Sequence, residues 1–277
     1  MLRRPRVGHI QFLNCVPLYW GLVRSGSLLD VDLVKDTPDH LNDALVAGDL
    51  DIGPISLVEY LRHTDSLVLL PDLAVGSDGP VLSVVLASPH PLTDLDGRTV
   101  AVGSTSRTSV LLARMLLEQR VGVRPSYVTM PPDLPVMLRE ADAGVLIGDP
   151  ALRATHAPPA GVTVTDLGAA WRDWSGLPMV FAVWAARRSY AEAHPGIVKD
   201  VQGAFVRSRE LALSHPAEVA AYAARWDALP PEALAAYFAR LDFRLGERQL
   251  AGVAAFAERA AVQGAVPTGV RVEALAL

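Results

Sequence analysis

The sequence predicts an α/β protein folded into two lobes, with a cleft for a small ligand between them. Apolar runs typical of strands alternate with helical patterns over about the first 87 residues, and the alternation restarts after a loop rich in Pro, Asp and Gly. Such alternation indicates a parallel sheet with helices on its faces. The chain after Tyr190 has only helical patterns, so its helices must pack on a sheet formed earlier. At 277 residues the chain is long enough for two modest domains.

The first α/β unit is marked by prolines and capping residues at the expected helix starts. Pro17 lies in the first turn of a helix, where its missing N–H costs nothing. Thr37 is the expected N-cap of the next helix, with Pro38 at the first position. The elements expected in this unit are strands at 5–10, 31–35 and 50–55, helices at 17–24 and from Pro38, and apolar runs at 67–70 and 81–87.

The second unit repeats the pattern and leads into a helical tail. The run at 179–186 is too continuously apolar to be anything but a buried strand. Pro195, Pro216 and Pro230 stand at the starts of tail helices, where proline is tolerated. The elements expected here are strands at 98–102, 125–129, 143–147 and 179–186, and helices at about 104–120, 132–141, from Pro150, 195–213, 216–226, 230–240 and 246–263.

These elements divide the chain into two lobes. Residues 1–86 and 188–277 are expected to form lobe I, and residues 87–187 to form lobe II. The chain is expected to cross between the lobes near 81–88 and 179–187. A cleft between lobes is a preferred place for a small ligand, and hinge closure is the motion expected of it.

Composition excludes several kinds of partner. The net charge is −5, the isoelectric point is about 5.8 and Lys and Arg form no run, so nucleic acid and anionic membranes are poor partners. Cys15 is the single cysteine, which excludes an internal disulfide, and the histidines show no metal-ligand spacing. No apolar stretch approaches the roughly 18 residues of a membrane span, and Pro5 interrupts the basic start, so a cytoplasmic location is expected.

Two short stretches, Gly8–Leu18 and Gly103–Ser109, indicate one binding site. Each follows a strand and opens into a helix, where unpaired backbone N–H groups face a ligand. The first stretch carries Asn14 and the second carries several hydroxyl side chains, Thr105, Ser106 and Thr108 among them. Hydroxyls and free N–H groups make a cradle for a carboxylate or phosphate. We therefore predict a site for a small anion, assembled from both halves of the chain.

Each of these residues also has a purely structural interpretation. Asn14 suits a turn or a cap, and one or two hydroxyls of the second stretch must cap their own helix. Gly-Lys-Ser/Thr is absent, so the second stretch is not a phosphate-binding P-loop. Cys15 has no base beside it in the sequence, which favours buried packing over a nucleophile.

Three further polar residues lie near the same strand ends. Ser56 is expected to form a capping box with Glu59. Ser83 lies within an apolar run, where a buried hydroxyl needs a partner, and at a lobe crossing that partner could be the ligand. Asp149 is more often an N-cap than an acid, and His9 has no acidic neighbour in sequence and is expected to be structural.

The chain resembles the chorismate dehydratases. The resemblance covers about residues 6–187, and the helical tail is less distinctive. It rests on Gly8-x-Ile10-x-Phe12-Leu13-Asn14-Cys15-x-Pro17-Leu18, Asp51-Ile52-Gly53-Pro54-Ile55-Ser56-x-x-Glu59-Tyr60, Gly79-Pro80-Val81-x-Ser83-Val84, Thr105-Ser106-x-Thr108-Ser109, Leu146-Ile147-Gly148-Asp149-x-Ala151-Leu152, and Asp166-Leu167-Gly168-x-x-Trp171 through Gly176-Leu177-Pro178-x-Val180-Phe181-Ala182-x-Trp184.

This resemblance implies the type II periplasmic-binding-protein fold and the loss of water from chorismate, an early step of the futalosine route to menaquinone. It implies no cofactor and no metal, and it implies that the substrate's own enolpyruvyl carboxylate takes the proton. The implied site has Asn14 and Ser83 as catalytic residues. The implied substrate-binding residues are Ser56, Thr105, Ser106, Thr108 and Asp149. Arg107 falls at an unspecified position of the motif and receives no role.

Two alternatives remain open from the sequence. One is a solute-binding protein for a small carboxylate on the same fold, which would bind without chemistry. The other is the related 1,4-dihydroxy-6-naphthoate synthase, whose family begins with a Ser-Pro-Cys-Pro-Asn-Asp-like segment. This chain has Phe12-Leu13-Asn14-Cys15-x-Pro17 there instead.

Overall fold

The computed structural model describes residues 4–25, 30–104 and 106–276, and these residues form ten strands and twelve α-helices. The strands are β1 (Arg6–Ile10), β2 (Asp32–Asp36), β3 (Ile52–Ser56), β4 (Leu67–Ser77), β5 (Val84–Ser88), β6 (Thr99–Gly103), β7 (Ser126–Met130), β8 (Ala143–Ile147), β9 (Thr163–Asp166) and β10 (Met179–Arg187). The helices are α1 (Val16–Arg24), α2 (Pro38–Ala47), α3 (Leu57–Arg62), α4 (Thr108–Met115), α5 (Leu134–Glu140), α6 (Gly148–His156), α7 (Leu167–Ser175), α8 (Arg188–Ala193), α9 (Pro195–Ser214), α10 (Pro216–Ala223), α11 (Pro231–Phe238) and α12 (Glu247–Val262).

The strands form two five-stranded sheets, one for each lobe. The first sheet has the order β2-β1-β3-β10-β4, and the second has the order β7-β6-β8-β5-β9. Both sheets are mixed, which corrects the expectation of purely parallel sheets. The strand β10 runs antiparallel to β3 and β4, and β5 runs antiparallel to β8 and β9. Each strand that follows a change of lobe, β5 or β10, runs against the direction of the other strands in its sheet.

The chain changes lobe twice. It leaves the first sheet after β4 and enters the second at β5, so the first crossing occupies residues 78–83. It returns between β9 and β10, through α7. The expected second crossing at 179–187 is therefore wrong in detail, because this whole segment is strand β10 of the first sheet. The assignment of residues 1–86 and 188–277 to lobe I and of residues 87–187 to lobe II stays a prediction, except that β10 lies in the first sheet.

The C-terminal helices cover the first sheet. Helix α9 packs against β4 and α12 packs against β10. Helices α1 and α9 approach so closely that a Cβ atom at Gly21 would overlap the carbonyl oxygen of Ser208. The hydroxyl of Ser208 in turn donates to the carbonyl of Leu18. This contact fixes α1, and with it the turn that carries Asn14.

Most strands and helices lie within two residues of their predicted bounds. The helix expected at about 104–120 is shorter, because α4 begins at Thr108 and passes into a π-helical turn over Leu116–Val121. That turn ends at Gly122, whose φ of 87° only glycine adopts easily. Strand β9 and helices α7 and α8 were not predicted from the sequence. Within the described part of the chain, no helix is both long and apolar enough to cross a bilayer.

Candidate functional site

A cavity of about 570 Å³, part of it open to solvent, lies where the two sheets face each other. The polar side chains that line it are Asn14, Ser56, Ser83, Ser106, Arg107, Thr108 and Ser109. Its apolar wall is formed by Ile10, Phe12, Pro38, Val75, Val84, Ile147, Gly148, Phe181 and Ala182. Both lobes contribute, as expected of a cleft site.

Asn14 lies in a single 3-10 turn, Leu13–Cys15, between β1 and α1. The carboxylate of Asp149 accepts a hydrogen bond from the Leu13 N–H at 3.1 Å and so ties this turn to the start of α6 in the other lobe. The Oδ1 atom of Asn14 is buried and has no hydrogen-bond partner in the described protein. A buried amide oxygen without a partner is costly, so this group is available to a ligand.

Asp149 is not among the residues that line the cavity. It contacts the backbone of the turn that carries Asn14. Burial raises the pKa of its carboxyl group, against the opposing effect of the Leu13 hydrogen bond. The sequence placed Asp149 among the substrate-binding residues, whereas the structure places it one layer further out. Its contact acts on the backbone next to Asn14.

Cys15 and His9 do not supply a nucleophile or a base to the cavity. Burial raises the pKa of the Cys15 thiol to about 12, and the nearby charge of Asp149 adds to this. The predicted packing role of Cys15 is therefore confirmed. Burial and the charge of Lys35 lower the pKa of His9 to about 4, and its ring stacks on Tyr19 at 3.6 Å between centroids.

The predicted capping box of Ser56 and Glu59 is wrong. The Ser56 side chain makes no capping hydrogen bond to α3. Instead, the buried Asn42 side chain holds Ser56 through two contacts, accepting from its backbone N–H at 2.9 Å and donating to its hydroxyl at 3.2 Å. This leaves the Ser56 proton free to point into the cavity.

Thr108 from the opposite lobe caps α3 in place of Ser56. Its Oγ1 accepts a hydrogen bond from the Val58 N–H at 3.1 Å, and Thr108 is only 2% exposed. An unpaired N–H in the first turn of a helix needs such an acceptor. The hydroxyl group of Thr108 therefore joins the two lobes, and its proton is still available to a ligand.

Ser106 and Ser109 complete the hydroxyl side of the cavity. The Oγ of Ser106 accepts a hydrogen bond from the Ser109 N–H at 3.3 Å, so Ser106 also serves the first turn of α4. Ser109 is 3% exposed and lines the cavity, although sequence reasoning did not select it. Thr105 lies outside the described residues.

Arg107 is the residue that sequence reasoning left without a role, and it clamps the lobes together. Its guanidinium lies 2.9 Å from Glu59 and 2.6 Å from Asp43, both in lobe I. Burial opposes ionisation of Glu59, but the hydrogen bond and charge of Arg107, with Arg62 and His63, hold its pKa below the usual value. Of the described residues that line the cavity, Arg107 alone carries an ionisable side chain, and its charge is already paired.

Ser83 lies at the first crossing and is 3% exposed. Its backbone carbonyl accepts from the Gly148 N–H at 2.8 Å. Its Oγ accepts from the hydroxyl of Tyr237, in α11, at 2.9 Å. One partner of this buried serine is thus a tyrosine from the C-terminal helices, which no motif of the sequence indicated.

The structure therefore brings five predicted residues to one cavity, Asn14, Ser56, Ser83, Ser106 and Thr108. Their chemical roles stay predictions. Together they provide neutral hydrogen-bond donors and acceptors beside the apolar wall of the cavity. Such a set can hold carboxylates by charge-assisted hydrogen bonds without a free cation.

The fold and the interlobe site define a protein of the periplasmic-binding-protein fold class. The aliphatic-sulphonate-binding protein SsuA of Escherichia coli superposes with a TM-score of 0.69 at 21% identity, covering 98% of this chain and 96% of that one. Protein AF1704 of Archaeoglobus fulgidus superposes with a TM-score of 0.80 at 21% identity, covering 95% of this chain and 98% of that one. At these identities the likeness shows the fold alone.

Sequence comparison identifies the family. The menaquinone biosynthesis family matches residues 5–262, and the chain belongs to it. A chorismate dehydratase of Thermus thermophilus is 34% identical over 270 residues, 92% of this chain and 95% of that protein. A 1,4-dihydroxy-6-naphtoate synthase of the same organism is 29% identical over 220 residues, 78% of this chain and 77% of that protein.

The interlobe clamp leads to a first prediction, for the variant Arg107→Met. This change leaves the buried Glu59 carboxylate without its strongest partner. Because the Arg107 side chain is 29% exposed, the expected loss is about 1–2 kcal/mol of unfolding free energy, less than for a fully buried pair. The lobes should also separate more easily, which small-angle X-ray scattering measures as a larger radius of gyration without ligand.

The matched control is Arg139→Met. Arg139 is exposed, and its one ion pair among the described residues is with the adjacent Glu140. Its loss should change neither the unfolding free energy nor the radius of gyration. An Arg107→Met variant with unchanged melting temperature and radius of gyration would show that the clamp does not hold the lobes.

Proposed function

We propose that this protein is a chorismate dehydratase, converting chorismate to 3-[(1-carboxyvinyl)oxy]benzoate and water. The observation that carries the proposal is the cavity between the lobes, which combines neutral donors with an apolar wall. Membership of the menaquinone biosynthesis family and the likeness to the Thermus thermophilus dehydratase support it. The likeness to a biosynthetic enzyme also leads us to propose a cytoplasmic location.

Chorismate carries two carboxylates and an apolar ring, and the cavity suits both. The hydroxyls of Ser56, Ser106 and Thr108 each have a proton that no described protein group accepts. Donors of this kind form short, charge-assisted hydrogen bonds to carboxylate oxygens. The ring then lies against the apolar wall that includes Phe12 and Phe181.

The reaction removes a proton from the ring carbon that bears the enolpyruvyl ether. This C–H is vinylogous to the ring carboxylate, so its electron pair delocalises into a dienolate. The neighbouring C–O bond then breaks, the hydroxyl leaves with a proton as water, and the ring becomes aromatic. Hydrogen bonds to the ring carboxylate stabilise the charge that develops there.

No described side chain that lines the cavity is a suitable proton acceptor, because each is neutral except Arg107, which stays protonated. We infer that the enolpyruvyl carboxylate of the substrate takes the proton and returns it to the departing hydroxyl. The protein then acts by holding the substrate in the reactive conformation, an effect that can supply several kcal/mol. In this arrangement the Asn14 amide contacts the departing hydroxyl or a substrate carboxylate, and Ser83 donates to a substrate oxygen.

The reaction itself is the second prediction. Purified protein incubated with chorismate, without added metal or nucleotide, should yield a product lighter by one water, identified by chromatography and mass spectrometry. If a folded sample binds chorismate in calorimetry yet returns it unchanged at several pH values, the protein is a solute-binding protein and the proposal is wrong.

The third prediction concerns Asn14→Asp. The change keeps the shape of the side chain but places a negative charge beside a dianionic substrate. Like charges about 4 Å apart repel by roughly 1 kcal/mol in water and by several kcal/mol in a closed cleft. Turnover should fall by about 100-fold or more, on the scale of losing one stabilising group, while the melting temperature changes little because aspartate suits a turn as well as asparagine.

Steady-state kinetics and thermal denaturation measure the two effects separately. Near-normal turnover of Asn14→Asp would make Asn14 a turn residue only. A large fall in melting temperature would instead assign it to the stability of the fold.

A further inference from the structure

The contact between Tyr237 and Ser83 joins the C-terminal helices to the cavity. Tyr237 is 1% exposed, and its hydroxyl donates to Ser83 Oγ at 2.9 Å. Of the described residues that line the cavity, none lies beyond Ala182. Helix α11 therefore acts on the cavity indirectly. Its residue Tyr237 contacts Ser83, and Ser83 lines the cavity.

The arrangement of protons in this pair follows from the available partners. Burial raises the pKa of the Tyr237 phenol far above its usual value, so the hydroxyl stays protonated. Within the described residues, Ser83 is the one hydrogen-bond partner of this phenol. A buried O–H donates where it can, so Tyr237 donates and Ser83 accepts. Among the described residues the proton of Ser83 then has no acceptor, and Ser83 lines the cavity.

The backbone of Ser83 is already fixed by other contacts. The preceding residue, Leu82, has a left-handed φ of 64°, which is unfavourable for leucine. The carboxylate of Asp166 accepts from the N–H groups of Val81 and Leu82, and Gly148 donates to the Ser83 carbonyl. With the backbone held, rotation of the Ser83 side chain is the freedom that remains, and Tyr237 removes it.

We propose that Tyr237 is a positioning residue, which holds Ser83 Oγ so that the serine proton points at a substrate oxygen in the cavity. Donation from the phenol also polarises the serine hydroxyl and makes it a stronger donor. The identity of the substrate in this proposal rests on the proposed function. The geometry of the Tyr237–Ser83 pair does not.

A double-mutant cycle on chorismate turnover tests the proposal. Tyr237→Phe should lower kcat by about 10-fold and change KM by less than about threefold, because the donor is held less well in the transition state. In the Ser83→Ala background the same change should alter kcat by less than about twofold, because no serine proton remains to be positioned. A purely structural role would give the same loss in both backgrounds.

Tyr60→Phe is the matched control. Tyr60 is also a buried tyrosine, and its hydroxyl donates to the Glu273 carbonyl, away from the cavity. Its loss should leave kcat unchanged. Melting temperatures give a second readout: Tyr237→Phe should stabilise the Ser83→Ala protein, since it removes a buried hydroxyl that has lost its partner.

The outcomes separate this proposal from the proposed function. If the unsubstituted protein turns over chorismate and Tyr237→Phe has no effect, or an equal effect in both backgrounds, Tyr237 does not position Ser83. If the unsubstituted protein has no turnover, the proposed function is wrong. The melting temperatures of the two single variants and the double variant then test the contact without a substrate, and additive effects of the two changes would overturn the positioning role.

Discussion

The hydrogen bond from the Val58 N–H to Thr108 Oγ1 is the contact on which the site depends. It is buried, it joins residues that belong to different lobes, and it satisfies an N–H group that α3 cannot pair internally. The adjacent ion pair between Arg107 and Glu59 reinforces it. With these contacts in place, the start of α4 faces the turn that carries Asn14 across one cavity. If they open, the hydroxyl groups and the amide no longer face the same ligand.

The same contacts explain why the cavity is neutral. Arg107 reaches the cavity, but its charge is balanced by Glu59 and Asp43. A free cation close to the substrate would stabilise its carboxylates in the ground state as well as in the transition state, which does not speed the reaction. Fixed hydroxyl and amide dipoles can be aimed at the oxygen where charge develops. In the proposed function the cavity is a set of positioned donors, and the substrate supplies the reactive carboxylate and hydroxyl.

Local signals selected Asn14, Ser106 and Thr108, and all three line the cavity. Asn14, Ser106 and Thr108 each stand where a strand gives way to a helix, and such positions converge at the carboxyl ends of the strands. The capping role of Ser56 was wrong and Tyr237 was missed, because both depend on distant partners. Ser56 has capping spacing, but Thr108, 50 residues away from Val58, provides the cap. Tyr237 lies 154 residues from Ser83, and no local pattern relates them.

The fold, too, was predictable where the signal is local and not where it depends on distant parts of the chain. Strand and helix positions follow from apolar periodicity and from prolines, which act over a few residues. The antiparallel direction of β10 and β5 follows from the chain changing lobe, which periodicity does not encode. Strand β9 was missed because it is short and polar, with the sequence Thr-Val-Thr-Asp. Its pairing with β5 is a tertiary interaction that no alternation in its own residues predicts.

The dependence of kcat on pH tests the central claim, that the substrate and not the protein supplies the base. The thiol of Cys15 has a pKa of about 12 and the imidazole of His9 a pKa of about 4, so neither titrates near neutrality. Carboxylates of a bound substrate are fully ionised above about pH 7. The kcat for chorismate should therefore be level between about pH 7 and 9. A kcat that rises through an inflection in this interval would reveal a protein base and contradict the account.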